Sequence, residues 1–307
     1  MLKKKSSLNV IAILTGVFMF IKLVPSPDKT LEELAPLYLN SSSKFMSIDG
    51  YNIHYRDEGE GFPIILIHGT GSSLHTWEEW TKELIKHYRV IRLDLPAYGL
   101  TGEDAQKRYS SIDYVNLLDF FLNELEIETF HLGGNSLGGL VAWLYTSYHD
   151  AKVNKLFLLD PSGFPFDSTP MIIRLAKTPV LNLFARYITP KVFIEKNLKE
   201  VYYDDRLITE ATINRYRDLT LYKGNRQAFI DRAYIERENH LDRLKYIATP
   251  TLILWGENDA WIPVTDAYKF DKALTNSKVH IMSNTGHVPM EERPIESVKI
   301  VREFIEN

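Results

Sequence analysis

The sequence predicts an α/β fold: a doubly wound, mostly parallel sheet with an inserted helical cap. Three observations predict it. From residue 44 onward short apolar segments alternate with helical ones, the alternation stops between about Phe164 and Tyr246, and it resumes at Pro250. Strand alternating with helix is the pattern of parallel sheets whose crossovers are helices.

Residues 1–27 stand apart from this pattern. Lys3, Lys4 and Lys5 precede an apolar run from Leu8 to Val24, and Pro25-Ser26-Pro27 ends any helix there. A basic flank before an apolar run fits a membrane anchor or a secretory signal. At 1.5 Å per residue the run spans roughly 25 Å, a little short of a hydrocarbon core of about 30 Å, and Lys22 can extend it by snorkelling. The expectation is a single uncleaved anchor and transmembrane helix. Its lysines would be cytoplasmic and the rest of the chain outside the inner membrane, periplasmic or extracellular. A cleaved signal that secretes the protein and a helix docked on the domain are the alternatives.

Residues 28–43 read as a connector, with Leu31, Leu34 and Tyr38 at helical spacing and Ser41-Ser42-Ser43 as a polar break. The core is expected at 44–163 and 247–307. Its strand candidates are Tyr51–Tyr55, Pro63–Ile67, Arg89–Leu93, Thr129–Leu132, Lys155–Leu159, Thr251–Trp255 and Lys278–Met282. Most are apolar nearly throughout, as strands buried on both faces should be. The clearest helix is Ile112–Leu125, apolar at 112, 115, 118, 122 and 125, with Ser111 as N-cap. Residues 164–246 are punctuated by prolines and rich in aromatics, and are expected to form a helical cap over the carboxyl edge of the sheet, where open α/β sheets bind ligands.

Composition narrows the function classes. Hydrophobic residues make up 45% and charged residues 25%, the balance of a globular protein. A net charge of −4 gives no sign of nucleic-acid binding, which wants a clustered basic face. The absence of cysteine removes thiol catalysis, disulfides and thiolate metal sites together.

The motif that carries chemistry is Gly134-Asn135-Ser136-Leu137-Gly138, followed by Gly139, between a strand and an apolar helix, Leu140–Tyr148. So tight a strand-to-helix turn needs almost no side chain two residues before and after the serine. The helix N-terminus then points free N–H groups at the charge that develops in acyl transfer.

With this motif the chain resembles the α/β-hydrolase family, in its serine esterase and lipase branch, over roughly residues 44–305. Four more segments carry the resemblance: His68-Gly69-Thr70-Gly71 (the family's oxyanion loop), Asp94-Leu95-Pro96-Ala97-Tyr98-Gly99, Trp255-Gly256-Glu257-Asn258-Asp259 and Gly286-His287-Val288-Pro289. Ala97 departs from the family's glycine. The resemblance implies the α/β-hydrolase fold and a triad of Ser136, Asp259 and His287, in the chain order expected of it. His287 would take the serine proton and return it to the leaving group, and the aspartate would hold the imidazole in its tautomer. The oxyanion would rest on the backbone N–H of Leu137 and one from the His68–Gly71 loop, that of Thr70. Asp160, at the end of the preceding strand, competes with Asp259 for the acid role. His68 is expected to brace the oxyanion loop. His54, His75, His87, His131, His149, His240 and His280 are expected to be packing or surface residues.

A serine in this position sets the chain apart from haloalkane dehalogenases and epoxide hydrolases of similar fold, whose nucleophile is an aspartate. The likeness is to small bacterial lipases and esterases and to membrane-bound monoacylglycerol lipases. It implies a carboxylic ester hydrolase acting on an acyl ester or lipid delivered near a membrane, with no metal or cofactor. The alternatives are a carbon–carbon bond hydrolase, whose usual aromatic residue after the histidine is Val288 here, and a non-catalytic small-molecule-binding homologue.

Overall fold

A computed structural model describes residues 26–165, 170–179, 181–236 and 238–307. They form one eight-stranded sheet in the order β1-β2-β4-β3-β5-β6-β7-β8. The strands are β1 (Ser43–Ile48), β2 (Tyr51–Glu58), β3 (Pro63–Ile67), β4 (Arg89–Leu93), β5 (Phe130–Asn135), β6 (Val153–Leu159), β7 (Thr251–Gly256) and β8 (Ser277–Met282). From β4 to β8 the neighbours are parallel, and β1 and β2 are antiparallel additions at one edge. The expected doubly wound α/β-hydrolase architecture is therefore present.

Residues alternate in strict period two across the inner strands, and each face has its own core. Ile65, Ile67, Leu156, Leu158 and Ile253 point to one side, Ile64, Leu66, Phe157, Leu159 and Leu254 to the other. The helices in chain order are α1 (Leu31–Tyr38), α2 (Glu78–Leu84), α3 (Ser111–Glu124), α4 (Leu137–Tyr148), α5 (Met171–Lys177), α6 (Leu181–Ala185), α7 (Lys191–Val201), α8 (Glu210–Thr220), α9 (Asn225–Tyr234), α10 (Thr265–Ala273), α11 (Pro289–Glu292) and α12 (Pro294–Glu306). Residues of α3, α4 and α10 cover the first face; α2 and α12 cover the second. Helices α5 to α9 all fall between β6 and β7. The helix expected at Ile112–Leu125 begins one residue earlier, because Ser110 caps it and forms a capping box with Asp113.

Two stretches differ from the sequence reading. Ser43 to Ile48, with Ser43 read as the connector's last residue and the rest as core without a strand, is the edge strand β1, half-exposed for most of its length. The connector itself is stitched to the inserted helices. Ser26 N–H donates to Tyr187 O and Thr189 N–H to Ser26 Oγ, each at 3.0 Å. Asp28 pairs with Arg226 at 2.6 Å, and Lys29 pairs with Asp218 at 2.7 Å while its backbone bridges to Tyr222. Helix α1 follows with its own capping box at Thr30 and Glu33.

The membrane-anchored location expected from the first 27 residues is corrected. Among the described residues no helix is long and apolar enough to cross a membrane. Residues 1–25, on which both the anchor and the cleaved-signal readings rested, lie outside the described residues.

Candidate active site

The candidate residues lie at the carboxyl ends of neighbouring parallel strands, the edge at which open α/β sheets hold ligands. Ser136 follows β5 and is the N-cap of α4, at φ 53° and ψ −114°. A non-glycine residue in that region is uncommon, and here the turn imposes it. Two glycines make the turn possible. A Cβ on Gly134 would sit 2.2 Å from Gly138 O, and one on Gly138 would sit 2.1 Å from Ile67 O. Ser136 N–H is held by Leu159 O at 3.0 Å, which fixes the turn against β6. Leu137 is the first residue of α4, so its N–H has no partner within the helix.

His287 follows β8 and Asp259 follows β7. They meet through His287 Nδ1 and Asp259 Oδ2 at 2.7 Å, with both side chains buried. The other carboxylate oxygen accepts the N–H groups of Trp261 and Ile262 at 2.7 and 3.0 Å. These bonds orient the carboxylate, and the carboxylate in turn orients the ring. His287 Nε2, the atom that would exchange a proton with Ser136, is buried and has no hydrogen-bond partner among the described residues.

Asp160 is fully buried at the end of β6, at φ 43°. Its Oδ1 accepts Gly256 N–H at 2.9 Å, and it makes no hydrogen bond to His287. The oxygens of Asp160 and Asp259 and a ring nitrogen of His287 lie within 4.8 Å of one another. Burial first, and then the negative charge of Asp259, push the Asp160 carboxyl well above the usual carboxylate range.

The His68–Gly71 loop is braced by the His68 ring. Its Nδ1–H donates to Gly69 O at 2.8 Å, and its Nε2 accepts Leu95 N–H at 3.0 Å, which defines a neutral tautomer. Burial lowers its pKa and keeps it neutral. Ala97, where the family has glycine, has φ 79°, so the alanine occupies the left-handed backbone its neighbours impose. Thr70 lies where two cavities meet, and it lines both, as does Trp261. One cavity, about 140 Å³, is walled by apolar side chains of the insertion, among them Leu175, Phe193, Leu219 and Phe229. The other, about 160 Å³, contains Ser136 and Leu137 with Ser162, Lys177 and Arg232.

Sequence reasoning passed over three groups that hold this arrangement. Asn135 Nδ2 donates to Leu159 O at 3.1 Å and to His287 O at 2.9 Å, which ties the serine turn to the histidine loop. Trp261 lies over the His287 ring, with centroids 5.4 Å apart. Glu291, four residues after the histidine, is a buried hub. It accepts from Thr76 Oγ1 and Tyr202 OH at 2.5 Å each, from Arg215 at 2.6 Å and from Tyr216 OH at 2.8 Å. Nothing in the sequence marks Glu291, since its donors come from three separate stretches of chain.

Burial works to raise the Glu291 pKa, but the Arg215 charge and the three hydroxyls outweigh it, and the net direction is down. A depressed carboxyl contributes stability above its unfolded pKa and loses it as pH falls through the folded one. Glu291→Ala should therefore cost about 3–5 kcal/mol at neutral pH, as expected when one partner of a buried pair is removed. In urea melts across the acid range, the difference between wild type and variant should shrink as pH falls.

Comparison with known proteins agrees with this geometry. An uncharacterized hydrolase of Bacillus subtilis, YugF, is 28% identical over 268 residues, covering 84% of this chain and 96% of its own. The crystal structure of a bacterial membrane phospholipase A superposes with a TM-score of 0.77 at 25% identity, covering 98% of this chain and 96% of that one. A meta-cleavage product hydrolase from Pseudomonas fluorescens IP01 superposes with a TM-score of 0.75 at 25% identity, covering 86% of this chain and 97% of its own. The family model for the alpha/beta hydrolase fold matches residues 63–294, which span the serine turn, the insertion and the histidine loop; the chain belongs to that family.

Proposed function

We propose that this chain is a carboxylic ester hydrolase that works through a serine acyl-enzyme, with Ser136 as nucleophile, His287 as base and Asp259 as triad acid. The observation that carries the reading is the buried 2.7 Å His287–Asp259 bond with the far ring nitrogen unpartnered, on the same sheet edge as the strained serine turn. In this mechanism Ser136 Oγ attacks the ester carbonyl carbon while its proton passes to His287 Nε2. The carbonyl oxygen becomes an oxyanion held by the N–H groups of Leu137 and Thr70. The C–O bond to the alcohol breaks, and His287 returns its proton to the leaving oxygen. Water, deprotonated by the same nitrogen, then releases the acid.

The apolar cavity next to Thr70 and Trp261 offers a wall for an acyl chain, which favours esters of longer acids. Each methylene placed in such a wall contributes about 0.8 kcal/mol, so kcat/KM on p-nitrophenyl esters should rise over the first several carbons of the acyl chain. A burst of one p-nitrophenol per protein on a slow ester would support the acyl-enzyme. The competing reading is carbon–carbon hydrolysis, after relatives such as the meta-cleavage product hydrolase. Rapid cleavage of a 2-hydroxy-6-oxo-dienoate with no turnover of any ester would replace the ester reading with that one. Binding of ligands with neither burst nor cleavage would make the chain a non-catalytic homologue.

A further inference from the structure

The cavity that contains Ser136 also contains a guanidinium that, among the described residues, pairs with no carboxylate. Arg232, near the end of α9, lines that cavity. Two other buried arginines of the insertion behave differently: Arg215 holds Glu291 and Arg226 holds Asp28, each at 2.6 Å. Around Arg232 stand the rings of Tyr98 and Tyr114, each centroid 6.0 Å from the guanidinium carbon. Among the described residues, Arg232 Nε is buried without a hydrogen-bond partner. The same is true of the Tyr98 hydroxyl, which lies beside Thr70 and Arg232. Among the described residues the acidic side chains on this cavity are Glu236 and Glu238, both exposed, and Glu238 is engaged with His240 at 2.9 Å.

A guanidinium taken largely out of water is costly unless an anion meets it. Arg232 lines the cavity that holds Ser136 and, among the described residues, meets aromatic rings instead. The apolar chamber beyond Thr70 and Trp261 is suited to the acyl chain, which leaves the Ser136 cavity to the other half of the ester.

We propose that Arg232, with the Tyr98 hydroxyl, is the recognition site for a negative charge, a phosphate or a carboxylate, carried on the alcohol side of the substrate. The proposal rests on the ester-hydrolase reading for its choice of substrate half. It names the substrate class as anionic acyl esters, such as acylated glycerol phosphates or acyloxy carboxylates, in preference to neutral glycerides. A planar fork of donors suits both anions, because each presents two oxygens side by side.

The test uses three esters of the same decanoyl chain: 1-decanoylglycerol, 1-decanoylglycerol 3-phosphate and 4-decanoyloxybutanoate. Wild type should prefer one or both anionic esters, and which of the two identifies the source of the charge. Arg232→Gln should lower kcat/KM on the preferred anion roughly 10- to 100-fold, mainly through KM, the range expected for charge-assisted hydrogen bonds. Its effect on 1-decanoylglycerol should be at least about fivefold smaller. Arg232→Lys should fall between the two proteins, since it keeps the charge and loses the fork. Equal loss on all three esters, or no wild-type preference for an anion, overturns the proposal and makes Arg232 a packing residue. Decyl phosphate gives a second readout that needs no chemistry. Its binding by calorimetry to wild type and not to Arg232→Gln supports the site even if no ester is hydrolysed, in which case only the ester reading falls. Equal binding to both, or none to wild type, overturns the site.

Discussion

Replacing Ser136 by alanine should reduce ester turnover about 10⁶-fold, the scale on which removal of a triad nucleophile acts. The change deletes one oxygen and leaves the turn intact. Alanine accepts the same left-handed backbone at the same cost as serine, and Ser136 N–H keeps its bond to Leu159 O. The variant should therefore melt close to wild type. A fluorophosphonate should add once to wild type and not at all to the variant, by intact mass. Labelling of Ser136→Ala would place the nucleophile elsewhere. Residual turnover at the wild-type rate would do the same.

Asp259→Asn should lower kcat by about 10⁴, because the amide presents the wrong hydrogen-bonding group to His287 Nδ1 and the ring loses its working tautomer. Asp160→Asn is the contrasting variant. The Asp160 carboxyl is pushed well above the usual carboxylate range, and an amide of nearly the same shape can still accept Gly256 N–H. Its kcat should stay within a few-fold of wild type. The pH dependence of stability should separate the two acids as well. A carboxyl whose folded pKa is raised binds its proton more tightly in the native state, so stability falls as pH rises from the unfolded carboxyl range toward the folded value. Asp259 and Glu292 are the charged groups facing Asp160, and both act to raise it. Asp160→Asn should remove that slope in urea melts taken across the range. If instead Asp160→Asn loses four orders of magnitude and Asp259→Asn loses little, the acid is Asp160.

The serine turn was legible in the sequence because its geometry forbids alternatives. Two glycines at fixed offsets meet backbone atoms, so the motif states its own shape. The inner strands were legible because burial on both faces leaves nearly unbroken apolar runs. Strand β1 was not, since an edge strand carries a mixed pattern of half-exposed residues. The Asp49-Gly50 turn that joins it to β2 was there to be read as a hairpin signal. Both residues take positive φ, 48° and 84°, as a two-residue hairpin turn requires. Asn135 and Glu291 could not be read at all. Asn135 is defined by a carbonyl 152 positions away and Glu291 by donors up to 215 positions away, and no local pattern encodes such distances. Asp160 and Asp259 both follow strands of the right kind, and the sequence ranked Asp259 first only by the placement of its loop after the strand that follows the insertion. Their environments differ, one holding the imidazole and the other a backbone N–H.

The strap of residues 26–29 changes what kind of door the insertion can be. A flap joined to a wall only where the chain enters and leaves it can swing about that line. This one leaves the sheet after β6 and returns to it at β7, and it is also laced to the N-terminal strap by Asp28, Lys29 and Ser26. Helix α1 carries the strap onward to the opposite edge of the sheet, where Arg56 of β2 donates to Tyr38 O at 2.7 Å. Fastened on two sides, such a panel bows in the middle rather than turning on a hinge.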